Sequence, residues 1–186
     1  MIYDKKYKKV DYTDKPLSDT EFECCTFENC NFSKINLSDF TFIECEFIDC
    51  DLSNVNLSNT TLQEVGFMKC KLLGMRFDTC KPFLLAFSFD TCVLDYASFY
   101  QLKIPNTRFI NSSLIEVDFS ETDLRKASIR DCNLQGSLFE NTIIEEANLR
   151  NSYNFIIDPE RNYIRKAIFS RESILGLLFK YNINVE

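Results

Sequence analysis

The apolar positions of this chain recur every five residues. A first run places Leu or Phe at Leu17, Phe22, Phe27, Phe32, Leu37, Phe42, Phe47, Leu52, Leu57, Leu62, Phe67, Leu72 and Phe77. A second runs through Leu84, Phe89, Leu94, Phe99, Ile104, Phe109, Leu114, Phe119, Leu124, Ile129, Leu134, Phe139, Ile144 and Leu149. Five residues advance an α-helix by about 500°, which scatters successive apolar centres around its axis. On a straight strand an odd spacing alternates faces. The pattern requires a chain that turns a corner every five residues and so restores the inward direction each time.

A second beat marks the same inward side. Two residues before most centres stands a smaller group, among them Cys25, Cys30, Cys45, Cys50, Val55, Thr60, Val65, Cys70, Cys92, Ala97, Thr122, Cys132 and Ala147. Residues two apart on an extended segment share a face, so each side of the coil points one large and one small group inward. The residue just before the centre is often Asn or Asp (Asn31, Asn36, Asp51, Asn56, Asp118, Asp123, Asn133, Asn148), types that tolerate turns and hydrogen-bond the local backbone.

The identities of the centres count the sides. At a spacing of 20 the same type recurs in 11 of 19 pairs, against 6 of 21 at a spacing of 15. Stacked coils favour like on like, so four sides per coil is the better reading. Residues 17–153 then make about seven coils, a rod roughly 32 Å long at about 4.8 Å per coil. One register break interrupts it: Phe77 to Leu84 spans seven residues through 78–83, where Pro82 cannot donate to a ladder. A tolerated corner insertion and a partner-contacting loop are both open readings of that break.

Segments such as Cys50-Asp51-Leu52-Ser53-Asn54, Val55-Asn56-Leu57-Ser58-Asn59 and Ala147-Asn148-Leu149-Arg150-Asn151 resemble the Ala-(Asp/Asn)-Leu-x-x consensus of pentapeptide-repeat proteins. The resemblance implies an all-β solenoid, a right-handed quadrilateral β-helix.

The chain ends flank this rod. Residues 1–16 read as an N-terminal arm or a first-coil cap. A solenoid end exposes an unpaired edge and an apolar cross-section, so residues 154–186 are expected to close it. Ile164–Phe169 is expected as a short strand and Ser170 as the N-cap of an amphipathic α-helix through Tyr181, with Ile183 and Val185 placed to add a closing strand. Ile157-Asp158-Pro159-Glu160-Arg161-Asn162 resembles a segment in the tails of pentapeptide proteins that protect DNA gyrase, the microcin-immunity and quinolone-resistance members. That resemblance implies a homodimer built on the helix, with Ile174, Leu177, Leu178 and Tyr181 shared between cap and interface. It also implies mimicry of B-form DNA toward a DNA-binding protein such as a type II topoisomerase. One departure is plain: no long insertion projects from the rod, as it does in the quinolone-resistance members.

Composition narrows the chemistry. The chain has no His, which removes Ser-His, Cys-His and His-metal arrangements, and only four Gly, with no phosphate-cradling loop. A flat solvated face gives carboxylates little reason to shift pKa, so no enzyme and no cofactor are expected. Eight of nine Cys (all but Cys24) fall on the small inward position, which favours core packing over disulfides or metal. No apolar run is long enough to span a membrane and the N-terminus does not read as a secretory signal, so a cytoplasmic setting is expected.

Charge is unevenly placed. The net charge is −7; residues 1–16 carry five Lys against three Asp, 17–153 carry 11 bases against 21 acids, and 154–186 five against four. In the first half, the sides centred on Phe22/Phe42/Leu62 and Phe27/Phe47/Phe67 hold Glu21, Glu23, Glu28, Glu44, Glu46, Asp49 and Glu64, with Lys69 as their one base. In the second half, the sides centred on Leu94/Leu114/Leu134 and Phe99/Phe119/Phe139 hold Asp95, Glu116, Asp118, Glu121 and Glu140. These acidic faces are the candidate partner-binding surfaces. They repel nucleic acid and suit a protein built to grip it. The alternative is a generic interaction scaffold whose acidity serves solubility.

Overall fold

The computed structural model describes residues 1–184 as a parallel β-solenoid with four sides per coil. The first side stacks Ile2–Tyr3, Glu21–Glu23, Thr41–Ile43 and Thr61–Gln63 as a four-stranded sheet. The second is a seven-stranded sheet of Lys6–Lys8, Thr26–Glu28, Glu46–Ile48, Val65–Met68, Phe87–Asp90, Arg108–Ile110 and Ser128–Arg130. The third and fourth sides are held by single parallel bridges, such as Asp51↔Lys71 on the third and Ser98↔Asp118 on the fourth. Partners are 20 residues apart, as Phe27↔Phe47 is, except across the break, where Val65 meets Phe87.

The coil begins upstream of Leu17. Ile2 pairs with Phe22, Tyr7 with Phe27 and Asp11 with Asn31, so residues 1–16 supply a first coil. Its inward groups Ile2, Tyr7 and Tyr12 keep the five-residue beat with more polar side chains than the runs that follow.

Corners explain how the period is sustained. The residue two after most centres takes positive φ, as at Cys24, Asn29, Lys34, Glu44, Asp49 and Lys69, with Asp19, Thr79 and Ala86 the exceptions. That left-handed conformation disfavours most L-residues by about 1–2 kcal/mol. It persists because its N–H bonds the next coil: Cys24 N donates to Ile43 O and Asn29 N to Ile48 O, both at 2.9 Å. The Asn and Asp before the centres act as expected. Asn31 Oδ1 accepts from Ser33 N at 3.0 Å and Asp51 Oδ1 from Ser53 N at 2.9 Å, with the same arrangement at Asn36, Asn56, Asp118, Asp123, Asn133 and Asn148.

The core is a stack of rings and branched side chains. On the second side Phe27, Phe47, Phe67, Phe89 and Phe109 lie face to face at 4.9 to 5.3 Å. The small inward residues have a second task, donating to a carbonyl 23 residues back. Thr60 Oγ1 reaches Leu37 O at 2.7 Å, Thr142 Oγ1 Phe119 O at 2.8 Å and Cys70 Sγ Phe47 O at 3.2 Å. All nine cysteines are free; eight are buried and Cys24 sits half-buried at a corner.

The break corrects one centre. Leu84 does not point inward: it is 55% exposed with φ of 55°, and Phe83 beside it is 77% exposed. Two extra residues bulge the chain outward here, and Leu85, half-buried, packs against the core in place of Leu84. Phe87, buried at the small position, fills the space and touches the rings of Phe77 and Phe89 at 5.1 and 5.3 Å.

The tail differs from expectation in two respects. Ile164–Phe169 is not one strand: bridges Ile143↔Tyr163 and Asn148↔Ile168 continue the first and second sides, with a corner at Lys166 between them. The helix is not α but 3₁₀, in segments Arg171–Leu177 and Phe179–Tyr181. Val185 lies outside the described residues, and Ile183 is exposed and outside any strand.

Candidate interaction surfaces

Because the ladder repeats every 20 residues, outward side chains line up in columns along the rod. The first acidic set occupies the adjoining first and second sides below the break: Glu21, Glu23, Glu44 and Glu64 on one, Glu28, Glu46 and Asp49 on the other. The second set occupies the third and fourth sides above the break. The two sets therefore face opposite directions and do not form one stripe.

They also differ in what they touch. Among the described residues, Glu28 is the one member of the first set in an ion pair, with Lys8 at 2.6 Å, and Glu44 accepts the Cys24 thiol at 3.6 Å. The second set is largely tied down. Asp95 Oδ1 accepts from Ser113 Oγ at 2.6 Å and from Ile115 N at 3.0 Å. Glu121 accepts from Tyr100 Oη and Gln101 Nε2, and Asp118 closes its own turn with Ser120 N. Arg161, from beyond the repeats, pairs with Glu140 at 2.6 Å. Only Glu116 of that set has no such contact among the described residues. Above the break the first and second sides become mixed in charge, with Lys103, Arg108, Lys126, Arg130 and Arg150 exposed beside Asp90, Asp123, Asp131, Glu145 and Glu146. The same 20-residue bookkeeping reveals this in the sequence once bases are sorted with acids.

The second side carries a shallow depression of about 260 Å³ where Gly66 leaves a gap in its column, bordered by Glu46, Ile48, Met68, Ser88, Arg108 and Ile110.

The C-terminal segment forms the third surface. Gly176 lies flat on Phe155: a Cβ there would stand 2.2 Å from Phe155 O, and Gly176 O accepts from Ile157 N at 3.1 Å. The resemblance motif is the clamp for this segment. Ile157 is fully buried, and Lys180 Nζ donates to Asp158 and Glu160, both at 2.7 Å. Those contacts hold both carboxyls below their usual range and raise the Lys180 ammonium above its own. Asn162 takes the small inward position: Nδ2 donates to Phe139 O at 3.0 Å and Oδ1 accepts from Thr142 N at 2.9 Å. Of the four expected interface residues, Leu177 packs against the core, Leu178 is half-buried, and Ile174 and Tyr181 are exposed. Leu175, which the helical spacing places on the same apolar face, is 48% exposed, and Phe179, which it passes over, is 66% exposed. A 3₁₀ turn of 3.0 residues rotates side chains away from the stripe that 3.6 predicts.

Two family patterns cover most of the repeats. Residues 20–87 match the Pentapeptide repeat region, and 92–131 and 104–141 match Pentapeptide repeats (8 copies). The chain is a pentapeptide-repeat protein. Among solved structures, this pentapeptide-repeat chain is similar to a trypsin-treated variant of QnrB1, a plasmid-mediated fluoroquinolone resistance protein. The TM-score is 0.66 at 16% identity, covering 99% of each chain. Full-length QnrB1 gives 0.50 at 15% identity, covering 97% of this chain and 99% of the other. HetL of the cyanobacterium Nostoc sp. strain PCC 7120, involved in heterocyst differentiation regulation, gives 0.51 at 18% identity, covering 90% and 84%. At these identities the likeness is one of fold. No curated protein sequence matches the chain. Among the described residues no helix is long and apolar enough to cross a membrane.

Proposed function

We propose that this pentapeptide-repeat protein is a cytoplasmic, non-enzymatic DNA mimic that binds a DNA-binding protein, a type II topoisomerase such as DNA gyrase being the best candidate, and modulates it or protects it from a poison. The observation that carries the reading is the acidic columns below the break, where Glu21, Glu23, Glu44, Glu46, Asp49 and Glu64 stand on adjoining sides without an ion pair among the described residues, with Lys69 at one end and the first-coil bases Lys6, Lys8 and Lys9 at the other. A basic duplex channel recognises such a surface by charge. The full-length likeness to a fluoroquinolone resistance protein supports the choice of enzyme by analogy of fold. In this reading two copies join end to end through Ile174, Leu178 and Tyr181, lengthening the rod, while Leu177 serves the cap.

The test is a supercoiling assay with purified gyrase, with and without a fluoroquinolone. Inhibition or protection at micromolar protein, lost in Glu44→Lys/Glu46→Lys/Asp49→Lys, supports the proposal. No effect from the folded protein sinks the topoisomerase assignment. A generic scaffold is the second reading, favoured by the opposed directions of the two acidic sets. Partner capture that survives that charge reversal and is insensitive to salt supports it.

A further inference from the structure

The charges and branched apolar groups of the second side repeat in reverse along its axis at every rung but the central one. The column before the centres reads Thr26, Glu46, Gly66, Ser88, Arg108, Ser128, each residue paired to the next in the ladder. The column after the centres reads Glu28, Ile48, Met68, Asp90, Ile110, Arg130. Reversed, the first column sets Glu46 opposite Arg108 and Gly66 opposite Ser88. The second sets Glu28 opposite Arg130 and Ile48 opposite Ile110, and its one mismatch is the central pair, Met68 opposite Asp90.

We infer that this side is the docking surface for a second copy of the chain, packed side by side and antiparallel. A two-fold axis along the strand direction, midway between the rungs of Phe67 and Phe89, carries each column onto itself in reverse. Glu46 of each copy then meets Arg108 of the other, and Glu28 meets Arg130. Ile48 faces Ile110, and Met68, 46% exposed, lies beside the depression that Gly66 leaves. The corner column adds no clash, since Asp49 faces Asn111 and Lys69 faces Thr91. Glu46 and Arg108 have no ion-pair partner among the described residues, and the pairing supplies one to each. Arg130 has only Asp131 at 3.8 Å, whereas Glu28 already holds Lys8. The next rungs out set Lys8 against Arg150, which confines the match to the central six.

Six rungs span about 24 Å, and a three-residue strand about 10 Å across. That patch is smaller than the roughly 800 Å² per partner of a standard interface, so the contact is weak and salt-dependent. It is distinct from the end-to-end association proposed above and leaves Glu21, Glu23, Glu44 and Glu64 uncovered on the adjoining side.

The test is a charge-swap cycle read by sedimentation velocity, in a Leu178→Asp background that removes the end-to-end contact. At about 50 mM salt the background chain associates with rising concentration, and at about 500 mM it does not. Glu46→Arg and Arg108→Glu each weaken association by tenfold or more, because symmetry turns two attractions into two repulsions. The double variant recovers to within about threefold, and mixing the two single variants gives a heterodimer. A background chain that stays monomeric, single variants without effect, or a double variant as weak as the singles overturns the inference. If Leu178→Asp does not fold, the same cycle is run in the unaltered chain. There the salt-sensitive part of association reports the side-by-side contact, and the same outcomes decide.

Discussion

Gly176→Ala sets helix propensity against packing. In a helix free of tertiary contact, Ala is more favourable than Gly by about 1 kcal/mol. Here the added methyl falls 2.2 Å from Phe155 O and 2.6 and 2.7 Å from two carbons of its ring. The ring can turn aside; the carbonyl belongs to the last coil and cannot. Residues 171–181 must lift, breaking the Ile157 N to Gly176 O bond, worth about 1 kcal/mol. Lifting also uncovers part of Phe155, which is 3% exposed and whose full burial is worth about 1.5–3 kcal/mol. The expected loss is roughly 2–4 kcal/mol, confined to the tail, because each coil contacts only its neighbours. Hydrogen exchange should show residues 171–181 and the 155–157 backbone losing protection while the Phe27–Phe109 stack keeps its own. A neutral effect, or a gain near 1 kcal/mol, refutes the docking argument.

Phe47→Ala removes a ring stacked on Phe27 and Phe67 and edge-on to Phe32 and Phe42, and should cost about 3–5 kcal/mol in chemical denaturation. Thr142→Val keeps the shape but loses the donation to Phe119 O; a loss of about 1 kcal/mol, or 2–4 °C in Tm, is expected, and no change would remove that bond from the account. In a thiol titration of the native protein only Cys24 should react, slowly because burial and Glu44 raise its pKa, while burial pushes Cys45, Cys80 and Cys132 up to about 12. The depressed carboxyls of Asp158 and Glu160 stabilise the docked tail above their unfolded pKa values near 4. That contribution falls away as pH drops through their lower folded values. Limited proteolysis should therefore cut the tail in acid before the rod, and Lys180→Ala should remove the pH dependence.

The five-residue beat made most of the fold legible, since one inward centre per corner leaves little freedom. It failed where the inward groups stopped being Leu or Phe. Tyr7 and Tyr12 are amphipathic, so the beat by itself offers only an arm or a first-coil cap where the first coil stands. Leu84 matched the beat by type, but two inserted residues turned it outward, and Leu85 and Phe87 took its volume. At the tail, amphipathic spacing marked a helix without disclosing its winding, which the contact of Gly176 with Phe155 constrains.

The candidate surfaces were legible to a lesser depth. Sorting acids by side identified both acidic sets, because column membership is arithmetic on a 20-residue coil. Whether a carboxylate is free depends on side chains one coil away: Glu140 meets Arg161 only because the chain returns over it, and Asp95 is held by Ser113 and Ile115 of the next coil.

The sequence by itself determined the coil, its four sides, the inward cysteines and the columns of charge, because a five-residue repeat that fits neither the helical nor the strand period leaves one way to bury its apolar centres. Tertiary structure alone decided where the coil starts, how the break is filled, how the tail winds and which charges stay unpaired. Those outcomes rest on contacts between residues far apart in the chain, where volume and backbone position, rather than residue type, set the energy.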